Sequence, residues 1–174
     1  MQTFLPLPSF TDSALVLDQR RLGKQRVEAM QVLNAIYQPR HGWRRHPVAK
    51  MWSRHPLALA HYGIVVCERW AGLGYADSVR DKIIAIVAAG ETVIRQATLP
   101  WWFGNEAFHS SHRSNLLRKD WDHYSRFWWQ PADQPYLWPG ATELEGWTEG
   151  DLPGGRQDAV SRAPTVRGPG GSPR

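Results

Sequence analysis

The sequence predicts an all-α fold, a compact single-domain helical bundle, and three observations lead to this prediction. Apolar residues recur at helical spacing along most of the chain before its glycine- and proline-rich end. No segment keeps the polar–apolar alternation that marks a half-buried β-strand. Hydrophobic residues make up 42% of the 174 residues, which is enough to form a real core.

The first long helix is predicted to follow Thr11, Asp12 and Ser13, whose side-chain oxygens can cap a helix N-terminus. We expect this helix to run to about Tyr37. Gly23 is the point at which it could break, because glycine is a poor helix former.

The later helices are marked by proline and glycine at their ends. Residues 38–47 predict a loop, and residues 48–52 a short helical turn. Pro56 suits the first position of the next helix, and Gly72 or Gly74 suits its end. Two further helices are predicted, over residues 76–90 and, in one or two pieces, over residues 105–129.

Composition divides the chain into a folded domain, residues 1–140, and a Pro/Gly-rich disordered tail, residues 141–174. The single cysteine, Cys67, excludes an internal disulfide framework and a cysteine-based zinc site. The longest aliphatic run has seven residues, far fewer than a membrane span needs, and the N-terminus lacks a signal-peptide pattern. We therefore expect a cytoplasmic monomer that does not associate with membranes.

Positive charge is concentrated in one part of the predicted domain. Residues 1–130 hold 17 Lys and Arg against 10 Asp and Glu, whereas residues 131–174 hold 4 against 6. The density is highest from Arg20 to Arg54, where nine basic residues accompany one acid, Glu28. Such a block repels itself unless an anion binds there, and nucleic-acid phosphate is the obvious anion. A solvated helix face followed by a basic loop is the alternative interpretation.

One acid lies within the basic stripe of the first long helix. At 100° per residue, Arg20, Arg21 and Glu28 fall within about 60° of Lys24. An acid repels phosphate, so its place on a phosphate-binding surface indicates a chemical role. The alternative is an ordinary surface pair with Lys24. The opposite side of the helix is apolar and comprises Leu22, Ala29, Leu33 and Ile36.

Arg26 is the exception to this pattern, because it falls on the apolar side of the helix. Its position predicts either a shift of helical phase at Gly23 or a partly buried arginine.

A second polar cluster lies in the last predicted helix. His109, His112 and Arg113 fall within about one turn, among serine and asparagine residues. No further metal-ligand pattern accompanies the two histidines, so we expect no metal site. The cluster is instead typical of a surface that contacts DNA phosphates or bases.

Seven of the ten tryptophans in the sequence fall into three groups. Trp43 lies in the basic loop beside Arg44 and Arg45, where it suits base stacking next to backbone contacts. Part of the aromatic run at residues 101–103 should be buried or in contact with a ligand. Four tryptophans are expected in the core: Trp52, Trp70, Trp121 and Trp128.

The order of these segments resembles the endonuclease V-type pyrimidine-dimer DNA glycosylases, or a bacterial branch of that family, over roughly residues 1–138. The resemblance rests on LDQRRLGKQRVEAMQVL, in which Glu28 lies ten residues after Asp18. It continues in HPVAKMWSRHPLALAHYGIVVCERWAGLGY and in FHSSHRSNLLRKD, which precedes an end rich in tryptophan and tyrosine.

The resemblance implies an all-helical enzyme that needs no metal or cofactor and excises a damaged base from duplex DNA. In the family, the N-terminal α-amine attacks the sugar C1′ to give an imine that undergoes β-elimination, with help from a glutamate. An α-amine has an ordinary pKa of about 7.7–8.0, so a useful fraction is neutral at pH 7. Glu28 matches the glutamate, and the basic residues around it are matched by Arg20, Arg21, Lys24 and Arg26.

The chain departs from the well-known members at two places. Their arginine directly precedes the glutamate, whereas Val27 separates Arg26 from Glu28 here. They expose a threonine after loss of the initiator methionine, whereas the bulky Gln2 follows Met1 here and is typical of chains that keep their methionine. The nucleophile is then the Met1 amine, with Lys24, or hydrolysis without a covalent step, as alternatives.

We therefore expect a DNA repair glycosylase, with or without AP-lyase activity, that acts on duplex DNA containing a damaged or modified pyrimidine. Catalysis is expected from Met1, Glu28 and Lys24. A non-catalytic binder of distorted DNA and an RNA-binding module are the alternatives, and a Glu28 placed away from the N-terminus would favour the binder. DNA contacts are expected from Arg20, Arg21, Lys24, Arg26, Arg44, Arg45, His109, His112 and Arg113.

Overall fold

A computed structural model describes residues 1–38, 40–91, 97–130 and 133–140. Within these ranges the chain forms a helical bundle without β-strands, which confirms the all-α prediction. The predicted tail from residue 141 lies outside the described residues. The helices are α1 (Phe10–Val16), α2 (Gln19–Tyr37), α3 (Pro47–Trp52), α4 (Pro56–Gly72), α5 (Val79–Gly90), α6 (Glu106–Lys119) and α7 (Trp121–Tyr124), followed by a 3₁₀ turn (Ser125–Phe127).

The first long helix is divided at Leu17 and Asp18, not at Gly23 as the sequence predicts. Both residues have extended backbone, with ψ of 136° and 159°. The Asp18 side chain accepts a hydrogen bond from Arg21 N at 3.1 Å and so caps α2. Tyr124, from the far end of the chain, donates its hydroxyl to the same carboxylate at 2.6 Å. The break is therefore fixed both by a local cap at Asp18 and by a long-range contact from Tyr124, and the second has no local signal.

Gly23 lies inside α2, where a side chain would collide with α4. A Cβ added at this position would lie 2.9 Å from Cζ3 of Trp70. Gly63 of α4 plays the same part deeper in the bundle, since its added Cβ would lie 2.7 Å from Cδ1 of Ile83 in α5. The two glycines let α2, α4 and α5 approach closely and form the centre of the bundle.

Residues 1–6 have no regular secondary structure, yet Gln2 to Leu5 are buried. This N-terminal segment contacts residues of α2, α3, α4 and α6. Its backbone polar groups therefore depend on side chains from those helices for hydrogen bonds. The start of the chain is thus built into the core and carries its α-amine to a fixed place.

The tryptophan predictions hold only in part. Trp52 is fully buried, in edge-to-face contact with Trp102 at 4.9 Å, and Trp70 is partly buried. Trp121 and Trp128 are 54% and 88% exposed, so their assignment to the core is wrong. Trp128 has a left-handed backbone (φ 56°) that turns its ring outward, while Trp129 stacks on Tyr124.

Among the described residues, no helix combines the length and apolar character needed to cross a bilayer.

Candidate active site

A pocket of about 350 Å³ lies where the N-terminal segment meets the start of α2 and the end of α6. Its walls are strongly cationic, and Glu28 is the one acid among the described residues that line it. A cationic recess of this kind favours an anionic ligand. The lining residues are Met1, Gln2, Phe4, Arg20, Arg21, Lys24, Glu28, Lys119 and Tyr136.

The α-amine of Met1 and the carboxylate of Glu28 meet at this pocket. The amine nitrogen lies 3.8 Å from Glu28 Oε1, and the two side chains are only 3% and 9% exposed. Lys24 brings a second amine to the same oxygen, with Nζ at 3.6 Å, but its side chain is 71% exposed. The site therefore offers two primary amines to one carboxylate, of which only one is built into the core.

Gln25 joins the start of the chain to Glu28. Its Nε2 donates to the carbonyl oxygen of Gln2 at 2.8 Å and to Glu28 Oε2 at 2.7 Å. Its Oε1 accepts from Phe4 N at 2.8 Å and from the hydroxyl of Tyr62 at 2.7 Å. Both donors and both acceptor positions of this amide are used, and the residue is fully buried.

Four further hydrogen bonds hold the N-terminal segment in place. Trp52 Nε1 donates to the Thr3 hydroxyl at 2.9 Å. The Tyr62 hydroxyl shares its single proton between Gln25 Oε1 and the Phe4 carbonyl, which lies 3.0 Å away. Leu5 is held at both its backbone groups by histidines of α6, as described below. The amine is thus presented by a segment whose next four residues are all anchored.

Arg21 lines the pocket from a rigid position. Its guanidinium donates to Asp18 at 2.7 Å, to Asp120 at 3.2 Å and to the carbonyl of Lys119 at 2.9 Å. Burial raises the pKa of Asp18, but the hydrogen bonds from Arg21 and Tyr124 outweigh it and hold the pKa below its ordinary value. These contacts tie the start of α2 to the end of α6 and so shape the pocket wall.

Arg26 does not face the pocket, which differs from its predicted role in DNA binding. It is partly buried on the other side of α2, where it forms an ion pair with Asp77. Its guanidinium also lies 4.4 Å from the ring centroid of Trp70. Asp77 lies far from Arg26 along the sequence, so no local pattern around Arg26 predicts this ion pair.

The two histidines of α6 are buried, at 1% and 0% exposure, so they do not form the predicted DNA-contacting surface. His112 Nδ1 accepts from Leu5 N at 3.2 Å. His109 Nε2 accepts from Gly104 N at 2.9 Å, so its Nδ1 carries the proton and donates to the Leu5 carbonyl at 2.8 Å. Burial lowers the pKa of His109, and it lowers that of His112 to about 3.

Arg113 is also turned inward, which differs from its predicted role in gripping phosphate. It donates to the Pro6 carbonyl at 2.8 Å and pairs with Glu106. Its side chain is 14% exposed, so little of it is left for a phosphate. Together with the two histidines, Arg113 makes α6 a support for the N-terminal segment.

The loop before α3 carries exposed basic and aromatic side chains near the pocket. Arg44 and Arg45 are exposed, and Trp43 is 48% exposed. The Trp43 ring contacts His46, with centroids 5.5 Å apart. A row of ring contacts continues from His46 through Trp138 to Tyr136 in the pocket wall.

The pKa of His46 depends on the charges of the site. Burial lowers the pKa of His46, the positive charge of the α-amine lowers it further, and Glu28 opposes both effects. Its Nδ1 caps α3 by accepting from Val48 N at 3.2 Å. The cap at Val48 fixes His46, and with it the end of the basic loop, at the start of α3.

The comparisons with known proteins bear on this geometry. A family model described as pyrimidine dimer DNA glycosylase matches residues 1–83. The resemblance to that family is confirmed. The match contains the N-terminal segment, all of α2 and the basic loop, and thus every group that meets at Glu28. It ends within α5, so α6 and the described residues after it lie beyond the matched part of the chain.

A search of curated proteins and a search of solved structures found no match. Within the described residues, no three or more His, Cys, Asp or Glu side chains are grouped as a metal site would require.

Sequence reasoning missed several residues of this site. Gln25 carries one local signal, because it lies three residues before Glu28 and can share its side of a helix. Tyr62, Lys119 and Tyr136 carry none, since they reach the site from α4, from the end of α6 and from the segment after it. Their roles follow only from how the helices pack.

Proposed function

We propose that this chain is a DNA repair glycosylase of the cytoplasm that acts as a monomer. It excises a damaged or modified pyrimidine from duplex DNA and then breaks the strand by an AP-lyase step. The observation that carries the proposal is the α-amine of Met1 held 3.8 Å from Glu28 in a cationic pocket. An anchored α-amine and a buried carboxylate in a phosphate-attracting recess suit covalent attack on a sugar of DNA.

In the first step, the uncharged amine attacks C1′ of the target nucleotide. A bond forms between the nitrogen and C1′, and the bond from C1′ to the base breaks, so the base leaves with the electron pair and takes up a proton. Glu28 stabilises the positive charge that develops on the sugar and accepts a proton from the attacking nitrogen. Opening of the sugar ring then leaves an imine between Met1 and C1′.

In the second step, the imine allows β-elimination. A base removes a proton from C2′, the C3′–O3′ bond breaks, and the strand is cut on the 3′ side of the sugar. Water then hydrolyses the imine and returns the free amine. Glu28 is the nearest carboxylate to this chemistry and can carry the protons in both directions.

Phosphate binding is assigned to the basic residues that remain accessible. Arg20 and Lys24 line the pocket, and Lys119 joins them from the end of α6, whereas Arg21 is 14% exposed and engaged with Asp18, Asp120 and Lys119. The exposed loop supplies further contacts through Arg44 and Arg45, and Trp43 is placed to stack on a base. Arg26, His109, His112 and Arg113 are left out of this surface, because their polar groups are engaged inside the protein.

The non-catalytic binder is the less favoured alternative. It predicts a Glu28 that is paired away from the N-terminus, whereas the carboxylate pairs with the terminal amine and with Lys24. An RNA-binding module would share the basic surface but has no use for an α-amine held beside Glu28.

Borohydride trapping tests the proposal. The purified protein is incubated with a panel of duplexes that carry a pyrimidine dimer, an oxidised pyrimidine or an abasic site, with sodium borohydride present to reduce an imine to a stable adduct. We expect an adduct on at least one duplex, and peptide mapping should place it on the amine of Met1. Intact-mass analysis first verifies that the purified chain begins at Met1.

Undamaged duplex and single-stranded RNA of the same sequence are the controls and should give no adduct. Absence of an adduct on every duplex of the panel would remove the lyase claim. Base release without an adduct would instead indicate hydrolysis without a covalent intermediate.

A further inference from the structure

The site presents a choice between two nucleophiles that proximity to the carboxylate does not settle. Met1 N and Lys24 Nζ lie 3.8 Å and 3.6 Å from the same oxygen of Glu28. A lysine reaches that oxygen through a flexible four-carbon stem and must give up side-chain freedom to react. What distinguishes Met1 is the set of contacts that hold the residues next to it.

Gln25 is the centre of those contacts. One N–H of its amide holds the carbonyl of Gln2, which is the residue bonded to Met1, and the other holds Oε2 of Glu28. The carbonyl of the residue next to Met1 and the Glu28 carboxylate are therefore both held by the planar amide of Gln25. Because Oε2 is engaged, Oε1 is the oxygen left to face the amines.

The orientation of that amide is itself determined. Its oxygen accepts from Phe4 N and from the Tyr62 hydroxyl, so both N–H donors must point toward Gln2 and Glu28. With no exposed surface and no free hydrogen-bonding position, Gln25 cannot turn without breaking several buried hydrogen bonds. The amide is a rigid link between the start of the chain and the carboxylate.

We infer that Gln25 is a positioning residue that selects the terminal amine, and not Lys24, as the nucleophile. The inference rests on the proposed function and deepens it. Holding an attacking atom in place converts a rare encounter into a favoured one, so the anchored amine outcompetes the mobile one. Without Gln25, Met1 loses its fixed approach, whereas Lys24 keeps its own path to Oε1.

The test compares Gln25→Met with the wild-type protein on a duplex that contains an abasic site, which removes any dependence on lesion type. Methionine has nearly the same length as glutamine but no amide. We measure the single-turnover rate of borohydride trapping at saturating protein, the Kd for the duplex, and the ratio of Met1 to Lys24 in the mapped adduct. Gln38→Met, the same change at the exposed C-terminal cap of α2, is the matched control.

We expect Gln25→Met to slow trapping by about 100-fold, while the Kd changes by less than about threefold. The adduct should move from Met1 to Lys24. Gln38→Met should behave as wild type in all three measurements. A purely structural role would lower the rate without moving the adduct, so an unchanged ratio of Met1 to Lys24 overturns the inference.

Tyr62→Phe keeps the test decisive if Gln25→Met does not fold. It removes the hydroxyl that contacts both the Gln25 amide and the Phe4 carbonyl, so it loosens the same link and should raise the Lys24 share while slowing trapping by about threefold to tenfold. An unchanged share in this variant overturns the inference. A wild-type protein that forms no adduct, or forms it on Lys24, overturns the proposed Met1 nucleophile as well as the inference about Gln25. A wild-type adduct on Met1 with an unchanged share in the variants overturns the inference alone.

Discussion

The start of α2 and the middle of α6 contain the same kinds of residue but serve opposite purposes. Both segments combine basic side chains with neighbouring polar ones, and the sequence assigns both to DNA contact. In α2, Arg20 and Lys24 are exposed beside the pocket. In α6, His109 and His112 are buried and bind the backbone of Leu5.

The difference shows that polarity in a helix does not by itself indicate a ligand surface. A backbone segment without secondary structure must find hydrogen bonds when it is buried, and α6 supplies them to residues 5 and 6. His109, His112 and Arg113 of α6 therefore form hydrogen bonds within the protein, whereas Arg20 and Lys24 of α2 stay exposed beside the pocket. Variants in α2 should therefore affect the reaction with DNA and the binding of DNA, whereas variants in α6 should affect the stability of the fold.

The largest expected effect is on the chemistry at α2. Glu28→Gln removes the negative charge but keeps an oxygen that can accept from Gln25, so the fold should be preserved. We expect strand cleavage at an abasic site to slow by about 10²–10³-fold, as is typical for loss of a general acid–base group. Single-turnover cleavage measures the effect.

Glu68→Gln is the matched control for this prediction, since Glu68 is an exposed acid whose nearest contact is Arg80 at 3.7 Å. Its cleavage rate should equal that of wild type. A Glu28→Gln protein with the wild-type rate would contradict the role given to Glu28.

The next effect is a loss of stability in acid that originates in α6. The pKa of His112 falls from its ordinary 6.5 to about 3 in the folded protein. Below pH 6.5 the unfolded chain therefore binds more protons than the folded one, and stability decreases as pH falls. From pH 6.5 to 5 we expect the free energy of unfolding to drop by about 2 kcal/mol from His112, with His109 acting in the same direction.

Urea unfolding at several pH values measures this dependence. His112→Asn is the informative control, because asparagine can accept from Leu5 N but does not titrate. Its free energy of unfolding should depend less steeply on pH. Identical slopes for the two proteins would show that His112 does not cause the loss.

A smaller effect is expected from Arg113→Met in α6. The change leaves the Pro6 carbonyl without its charged donor and removes the pair with Glu106. We expect the free energy of unfolding to fall by about 1 kcal/mol, with no change in the salt dependence of DNA binding. Urea unfolding and fluorescence anisotropy measure the two quantities, and a shallower salt dependence would return Arg113 to the DNA-binding surface.

The smallest expected effect is from Arg20→Met, the same substitution placed in α2. Loss of one phosphate contact should reduce the slope of log K against log salt by about 0.9 and leave stability unchanged. Anisotropy titrations over a range of salt concentrations measure the slope. A slope equal to that of wild type would show that Arg20 makes no phosphate contact.

Local sequence predicts most of the helices because helical periodicity and capping residues act over a few positions. Pro56 begins α4 and Gly90 ends α5, as expected. The division at Asp18 could not be predicted, because the Tyr124 hydroxyl that helps to fix it comes from 106 residues away. Trp128 could not be placed outside the core either, because its aromatic side chain suggests burial and nothing in the sequence signals its left-handed backbone or its exposure.

The candidate site likewise combines features that the sequence predicts with features that only the tertiary structure shows. The sequence by itself determined that α2 has a basic stripe with one acid at Glu28, since a helix fixes which side chains share a face. Only the tertiary structure decided that the α-amine would lie beside that acid, because its position depends on Gln25, Tyr62 and residues of α6 more than a hundred positions away. Such contacts form when helices pack, and no local pattern encodes which distant groups will meet.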